Sequence, residues 1–420
     1  MNRFLHGHAT HPDWQMALAI AGAQIEAQRH DPEHAAVPTL GWVYLTDHFA
    51  PHADALLADL RQRWPGVEWV GATGVGISAG GVEYFDEPAL SLMLSDLAPD
   101  RFRVFSGARP LGGAFKAHTA QVHADPSTPD LAELIHDMSA RTETGYLFGG
   151  LASGQTRTRH IAGSALVGGL SGVAFDDHVP LVSRVTQGCQ PVGPVRRVTA
   201  SERNVITQLD DEPALDCLLR DLNLEGVEPR AALPKIRQVL VGLSDSATGS
   251  DSRESASTRS AFDAFSRRDA FGSDTRVRHL IGLDPGRRGI AIADTAEVGI
   301  QLAFCTRNVQ AARRDLMRIC AEVREELEPE SLALPAALAL KEPLTGDLPG
   351  GAAHSIAGAI YVSCSGRGGA HFGAPSAELA IVRHALGDVP LVGFFAAGEI
   401  ARRHLYGYTG VLTVFPRNDR

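Results

Sequence analysis

The chain has 420 residues, a formal net charge of −10, 44% hydrophobic and 21% charged residues. This is the balance of an ordinary globular protein, and the length corresponds to about two to three domains. The acidic balance and the absence of a basic helix or an aromatic–basic strip exclude a nucleic-acid binder.

Taken in chain order, the pattern predicts a helix over Pro12–Arg29, a strand at Trp42–Leu45 and a helix over Pro51–Arg63. A strand at Val67–Gly71 then runs on to Gly76, and further strands follow at Leu90–Leu94 and Arg101–Val104. After a helix over Pro129–Arg141 comes a glycine-rich β region, Gly145–Val185, with a strand at Leu166–Val173. The Pro-Gly corner Gln187–Pro194 separates it from a β-then-helix unit, Val195–Leu222, whose helix begins near Asp211. Strands at Gln238–Leu243 and Val277–Ile281 flank the segment Ser244–Thr275, rich in Ser, Asp and Arg, which reads as a disordered surface loop. A helix over Val309–Glu325 and a Pro/Gly break at Pro343–Gly351 lead to the strand Tyr361–Cys364. The helix Ser376–His384 and strands at Val389–Gly393 and Leu412–Phe415 complete the chain. Strands and helices mix without a strict βαβ rhythm. The fold class is therefore α/β of the α+β kind, with mixed sheets covered by helices.

Two stretches echo each other. Strand, helix and strand with glycine after valine recur at Trp42–Gly71 and Tyr361–Gly393. Gly76 and Gly398 follow at the same distance, each fifteen residues before the middle of another strand. The repeat implies duplication, with related domains at 12–222 and 235–416 and an insertion at about 244–275. The five cysteines (Cys189, Cys217, Cys305, Cys320, Cys364) are scattered and never form Cys-x-x-Cys. They fit neither a disulfide framework nor a structural zinc site, and they fit a reducing cytosol. The N-terminus carries no signal-peptide core and no run approaches the ~18 apolar residues of a membrane span. The expectation is a cytoplasmic protein.

The most informative residues are Ser363-Cys364-Ser365-Gly366-Arg367-Gly368 and Gly393-Phe394-Phe395-Ala396-Ala397-Gly398-Glu399-Ile400. With Thr306-Arg307-Asn308, Ala312 and Asp315-Leu316, they resemble the C-terminal FIST domain. The first half resembles the N-terminal FIST domain through Tyr146–Ser153, Gln187–Pro194 with Val198-Thr199, and Pro213-Ala214-Leu215. The resemblance implies a sensory protein of signal transduction that binds a small ligand, with amino acids as the ligand class. Some members resemble haem-based nitric oxide sensors, so a haem-bound gas sensor is one alternative. Since the resemblance spans nearly the whole chain, output to a partner in trans is implied, such as a histidine kinase or cyclase. Two departures, Gly76-Ile77-Ser78 for Gly-Glu-Ile and Asn308 for an aspartate, remove charges and tilt any charged site toward the C-terminal half.

A ligand site is therefore expected at Ser363, Cys364, Ser365, Gly366, Arg367 and Gly368 together with Gly398 and Glu399. Arg367 suits a bidentate grip on a carboxylate, Glu399 suits an ammonium group, and the glycines admit close backbone approach. The alternative for Arg367 and Glu399 is an ion pair with each other. Cys364 invites a cysteine-hydrolase reading but lacks a neighbouring base, and a buried core residue explains it better. His6, His8 and His11 read as solvated rather than as a metal site. His160, His178, His279, His354, His371 and His404 are single histidines among which sequence alone selects no haem ligand. No cofactor, no nucleic acid and no membrane insertion are expected.

Overall fold

A strand buried on both faces carries a near-continuous apolar run, and that signature recurs through the computed structural model, which describes residues 1–155, 157–244, 275–327 and 356–417. All but the two end residues of the polar loop at 244–275 and the whole Pro343–Gly351 break lie outside the described residues. The chain separates into two compact units, residues 1–186 with 313–420, and residues 187–312.

The first unit is built from three copies of one motif. The first copy is β1 (Leu5–Thr10), α1 (Trp14–Gln28), β2 (Leu40–Thr46), α2 (Ala53–Arg63), β3 (Glu68–Gly74), the hairpin β4–β5 (Gly76–Ala79, Val82–Phe85) and β6 (Ala89–Ser95). The second is β7 (Phe102–Ser106), β8 (Thr119–Ala124), α3 (Leu131–Ser139), β9 (Leu147–Leu151), the hairpin β10–β11 (His160–Ala162, Ala165–Leu166) and β12 (Leu170–Phe175). The third opens with β13 (Val182–Gln187) and is interrupted in sequence by the second unit. That unit holds β14 (Cys189–Pro191), β15 (Arg196–Glu202), β16 (Val205–Leu209), β17 (Glu212–Pro213), α4 (Ala214–Asp221), α5 (Pro229–Ile236), β18 (Leu240–Ser244), β19 (Arg276–Asp284), β20 (Gly289–Ile292) and β21 (Gln301–Arg307). The third copy resumes within α6 (Val309–Leu327). It continues through β22 (Ile356–Cys364), α7 (Ala377–Leu386), β23 (Leu391–Ala396), the hairpin β24–β25 (Glu399–Arg402, His404–Tyr406) and β26 (Thr409–Pro416).

In each copy the central strand pairs parallel with the one that follows the helix, β2 with β3, β8 with β9 and β22 with β23. On its other side it pairs antiparallel with β6, β12 or β26. The hairpin leaves its own copy: β4 joins β23, β10 joins β3 and β24 joins β9. Three six-stranded sheets of identical order result, with β1, β7 and β13 at one edge of each. The expected equivalence of Val67–Gly71 and Val389–Gly393 is present, because β6-β2-β3 and β26-β22-β23 share one order and one set of directions. A third copy accompanies them. Pattern reading passes over it because β8 carries Gln121 and His123 in its buried face, which breaks the apolar run.

One glycine recurs at the same register in all three copies. A Cβ on Gly71, Gly149 or Gly393 would lie 1.8, 1.9 or 1.7 Å from the carbonyl oxygen of Val43, Val122 or Tyr361 on the parallel neighbour. The inner faces of the sheets share one core with Trp42, Tyr44, Phe148, Phe175, Phe394 and Phe415. Helices cover outer faces, with α1 and α2 over the first sheet and α3 over the second. Inside the core, Trp42 Nε1 donates to Gln121 Oε1 at 2.7 Å and Gln121 Nε2 donates to the Tyr44 hydroxyl at 2.8 Å. That hydroxyl lies 3.1 Å from His123 Nε2. Burial pushes the His123 imidazole down to about 3, so it is neutral at pH 7.

The second unit has its own sheet and core. The Gln187–Pro194 corner is tied to Asn308, whose amide donates to Gln190 Oε1 at 2.8 Å and whose N–H donates to the Gly188 carbonyl at 3.1 Å. Asn308 thus serves as a neutral link.

Replacing Gly393 with alanine forces a methyl group into a backbone carbonyl. The substitution is expected to cost more than about 3 kcal/mol in urea unfolding or to prevent folding, whereas Gly113→Ala, in open space, should stay within about 0.5 kcal/mol.

Candidate functional site

The Cys364–Gly368 turn follows β22, and Arg367 N–H donates to the Cys364 carbonyl at 2.8 Å. That turn directs the Arg367 side chain inward, where it is fully buried. Its Nε and Nη2 lie 3.0 and 2.8 Å from Glu378 Oε1, in the first turn of α7. Glu378 also accepts from the Tyr361 hydroxyl at 2.6 Å and from Ser363 Oγ at 3.0 Å. The Arg367 guanidinium further sits 5.3 Å from the centre of the Phe372 ring. Burial opposes its charge, and Glu378 more than offsets that, so it stays ionised. The ion pair foreseen for Arg367 exists, but its carboxylate is Glu378 and not Glu399.

Glu399 opens β24 and is also fully buried. Its Oε2 accepts from Thr409 N–H at 3.1 Å and from Thr409 Oγ1 at 2.6 Å. Its Oε1 has no conventional hydrogen-bond donor. Burial raises the carboxyl to about 8 against the opposing effect of Thr409, so at pH 7 it is mostly protonated. The Cys364 thiol interacts with this carboxyl and is pushed up to about 12, by burial first and Glu399 second. A thiol in that state is no nucleophile at neutral pH. Ser363 is buried and Ser365 exposed. The glycines make room for neighbours: a Cβ on Gly368 would lie 2.1 Å from the Phe85 ring, and one on Gly398 3.0 Å from Leu405. The structure therefore brings together Ser363, Arg367 and Glu378 in one cluster and Cys364, Glu399 and Thr409 in another.

The sheet registers place Asp125 and His160 of the second copy where the third has Cys364 and Glu399, and Thr46 and Ile77 of the first. Burial would raise the Asp125 carboxyl, yet hydrogen bonds from Ser127 and the Gly168 N–H prevail and hold it below the usual range. His160 uses both ring nitrogens, Nδ1 with Ser171 Oγ at 2.6 Å and Nε2 with the Gly168 carbonyl at 2.9 Å. Of the N-terminal histidines, His8 Nδ1 meets the Tyr84 hydroxyl at 2.6 Å and His11 packs on the backbone of Asp13. His354 lies outside the described residues.

Open volume lies elsewhere in the first unit. A cavity of about 540 Å³ is bounded by the starts of β8 and β9 and by β13. Phe148, Val179 and Val182 form apolar walls. Three hydroxyls line it in a chain: Tyr146 donates to Ser183 Oγ at 3.1 Å, and Ser183 Oγ lies 2.8 Å from Thr413 Oγ1. Arg184 at the mouth pairs with Glu326 and, at 3.3 Å, with Glu322. Asp177 and His118 complete the rim. Sequence reasoning missed this site, since Tyr146, Ser183, Glu326 and Thr413 share no local motif and meet only through folding.

Models of the FIST N domain and the FIST C domain match residues 39–212 and 214–402. An uncharacterized protein of Mycobacterium tuberculosis is 29% identical, over 97% of this chain and 98% of its own length. An uncharacterized protein of Mycobacterium bovis is 30% identical, over 97% of both chains.

Arg367→Ala leaves the Glu378 carboxylate buried without its cation and is expected to cost about 3–5 kcal/mol in chemical denaturation. For Glu399 the folded value of about 8 stands above the ordinary glutamate value of 4.5. Between these the unfolded chain has released a proton that the folded chain keeps. This stability is therefore full below pH 4.5 and falls as pH rises toward 8, by at most about 1.4 kcal/mol per pH unit. Glu399→Gln should remove that slope in urea titrations between pH 5 and pH 8.

Proposed function

This chain belongs to the FIST family, whose domains are sensory domains of signal transduction, and on that premise we propose that it is a small-ligand sensor signalling to a partner in trans. The ligand is an amino acid or a related small metabolite. The observation that carries this reading is the cavity of about 540 Å³, which falls in the size range of small-molecule sites and combines apolar walls with a few convergent polar groups. At its rim the Arg184–Glu326 ion pair and Asp177 carry charges of both signs, as a zwitterion does. The clusters at Arg367 and Glu399 then act as the rigid polar framework behind the strands that line the site. The output enzyme is of the histidine kinase or cyclase class.

The rival readings draw on residues already engaged. A thiol hydrolase needs Cys364 ionised, and burial keeps it protonated. A haem ligand at His160 would have to break two hydrogen bonds.

A thermal-shift screen of the full chain against the common amino acids and their keto- and amine relatives tests the proposal. A ligand at one hundred times its Kd should raise stability by about 2.7 kcal/mol. A panel in which no compound shifts the midpoint would sink it.

A further inference from the structure

The three equivalent openings between copies are filled differently, and the difference describes a ligand. The registers Leu5↔Leu94 and Arg103↔Ala174, with Gly41↔Leu94 and Ala120↔Ala174, put Phe4 and Phe102 at one equivalent position. Phe4 is fully buried, its ring 5.8 Å from Trp42 and 5.3 Å from Phe415. A Cβ on Gly358 would come within 2.3 Å of it. Phe102 is also buried, and the space left beside it is about 270 Å³. In the third opening the residues of β13 and its approach that face the core are Leu181, Ser183 and Val185. None carries a ring, and about 540 Å³ is left open.

Resting on the small-ligand reading above, we infer that the cavity beside β13 takes a molecule with a single aromatic ring and a hydrogen-bonding substituent. The ring occupies the volume that Phe4 and Phe102 fill in the other openings, against Phe148, Val179 and Val182. An aromatic ring buries a large apolar area with little conformational entropy to lose. The substituent meets the hydroxyl chain of Tyr146, Ser183 and Thr413. Those hydroxyls both donate and accept, so a phenol, an anilide or a carboxamide satisfies them.

The test titrates the full chain with phenol, benzamide, cyclohexane and leucine, followed by ligand-observed NMR and thermal shift. Phenol and benzamide are expected to bind, and cyclohexane, whose ring is saturated and carries no polar group, is expected at least tenfold weaker. Ser183→Phe projects a ring from β13 into the cavity that Ser183 lines. It should abolish binding of both aromatic probes while leaving the unfolding midpoint equal or higher. Tyr146→Phe adds no bulk, keeps the proposal testable if the first variant misfolds, and should weaken phenol about tenfold. Undiminished phenol binding in folded Ser183→Phe, or in Tyr146→Phe, overturns the inference. Leucine binding with inert aromatic probes also overturns it but leaves the sensor reading standing. Aromatic probes blocked by Ser183→Phe, with every amino acid and metabolite inert, support the cavity and remove the amino-acid reading.

Discussion

A buried sheet edge must find partners for its backbone N–H and C=O groups, and in this protein each copy meets that need with another copy's hairpin. The strand β4 completes the sheet of β23, β10 that of β3 and β24 that of β9. The exchange is cyclic, so no copy is complete without another. It also explains why residues remote in sequence share a sheet: Glu399 lies opposite Gly150, in the same row as His123. The recurring glycine belongs to the same constraint. The parallel neighbour's carbonyl occupies the space of a side chain at Gly71, Gly149 and Gly393, and only glycine lets the strands pair there.

Strands enclosed on both faces leave polar side chains no water to bind, so those present must satisfy one another. Trp42, Gln121, Tyr44 and the Nε2 of His123 do so across two sheets, while His123 Nδ1 has no hydrogen-bond partner among the described residues. Arg367, Glu378, Tyr361 and Ser363 do so at one strand end. A buried ion pair seldom adds net stability over apolar packing, but it penalises any register that separates the charges. Glu399 follows the other route: the two hydrogen bonds from Thr409 do not offset its burial, and the carboxyl keeps its proton. On the sensor reading proposed above, the polar groups left for a ligand are those of the opening where β13 carries hydroxyl and aliphatic side chains.

Much was legible in the residues themselves. Apolar periodicity marked β2, β3, β22 and β23 and the helices α1 and α2, and the glycine spacing exposed the relation of β3 to β23. The motifs Cys364–Gly368 and Gly398–Glu399 carried the family resemblance that the matches over 39–212 and 214–402 bear out. These are local properties, written within one element and the turn beside it, where backbone preference and burial period act directly.

Other features have no local signature. The copy around β8 was hidden because its buried Gln121 and His123 look like surface residues until Trp42 and Tyr44 are placed opposite. Arg367 had carboxylates at two distances along the chain, and the packing of α7 over β22 selected Glu378. The cavity draws on β9, β13, α6 and β26 at once. The sequence by itself determined which segments become strands and helices and which family they belong to, through short-range periodicity and turn chemistry. Only the tertiary structure decided which charges meet, which hairpin closes which sheet and where space remains, because these depend on contacts between residues remote in sequence, such as Ser183 and Thr413, 230 positions apart.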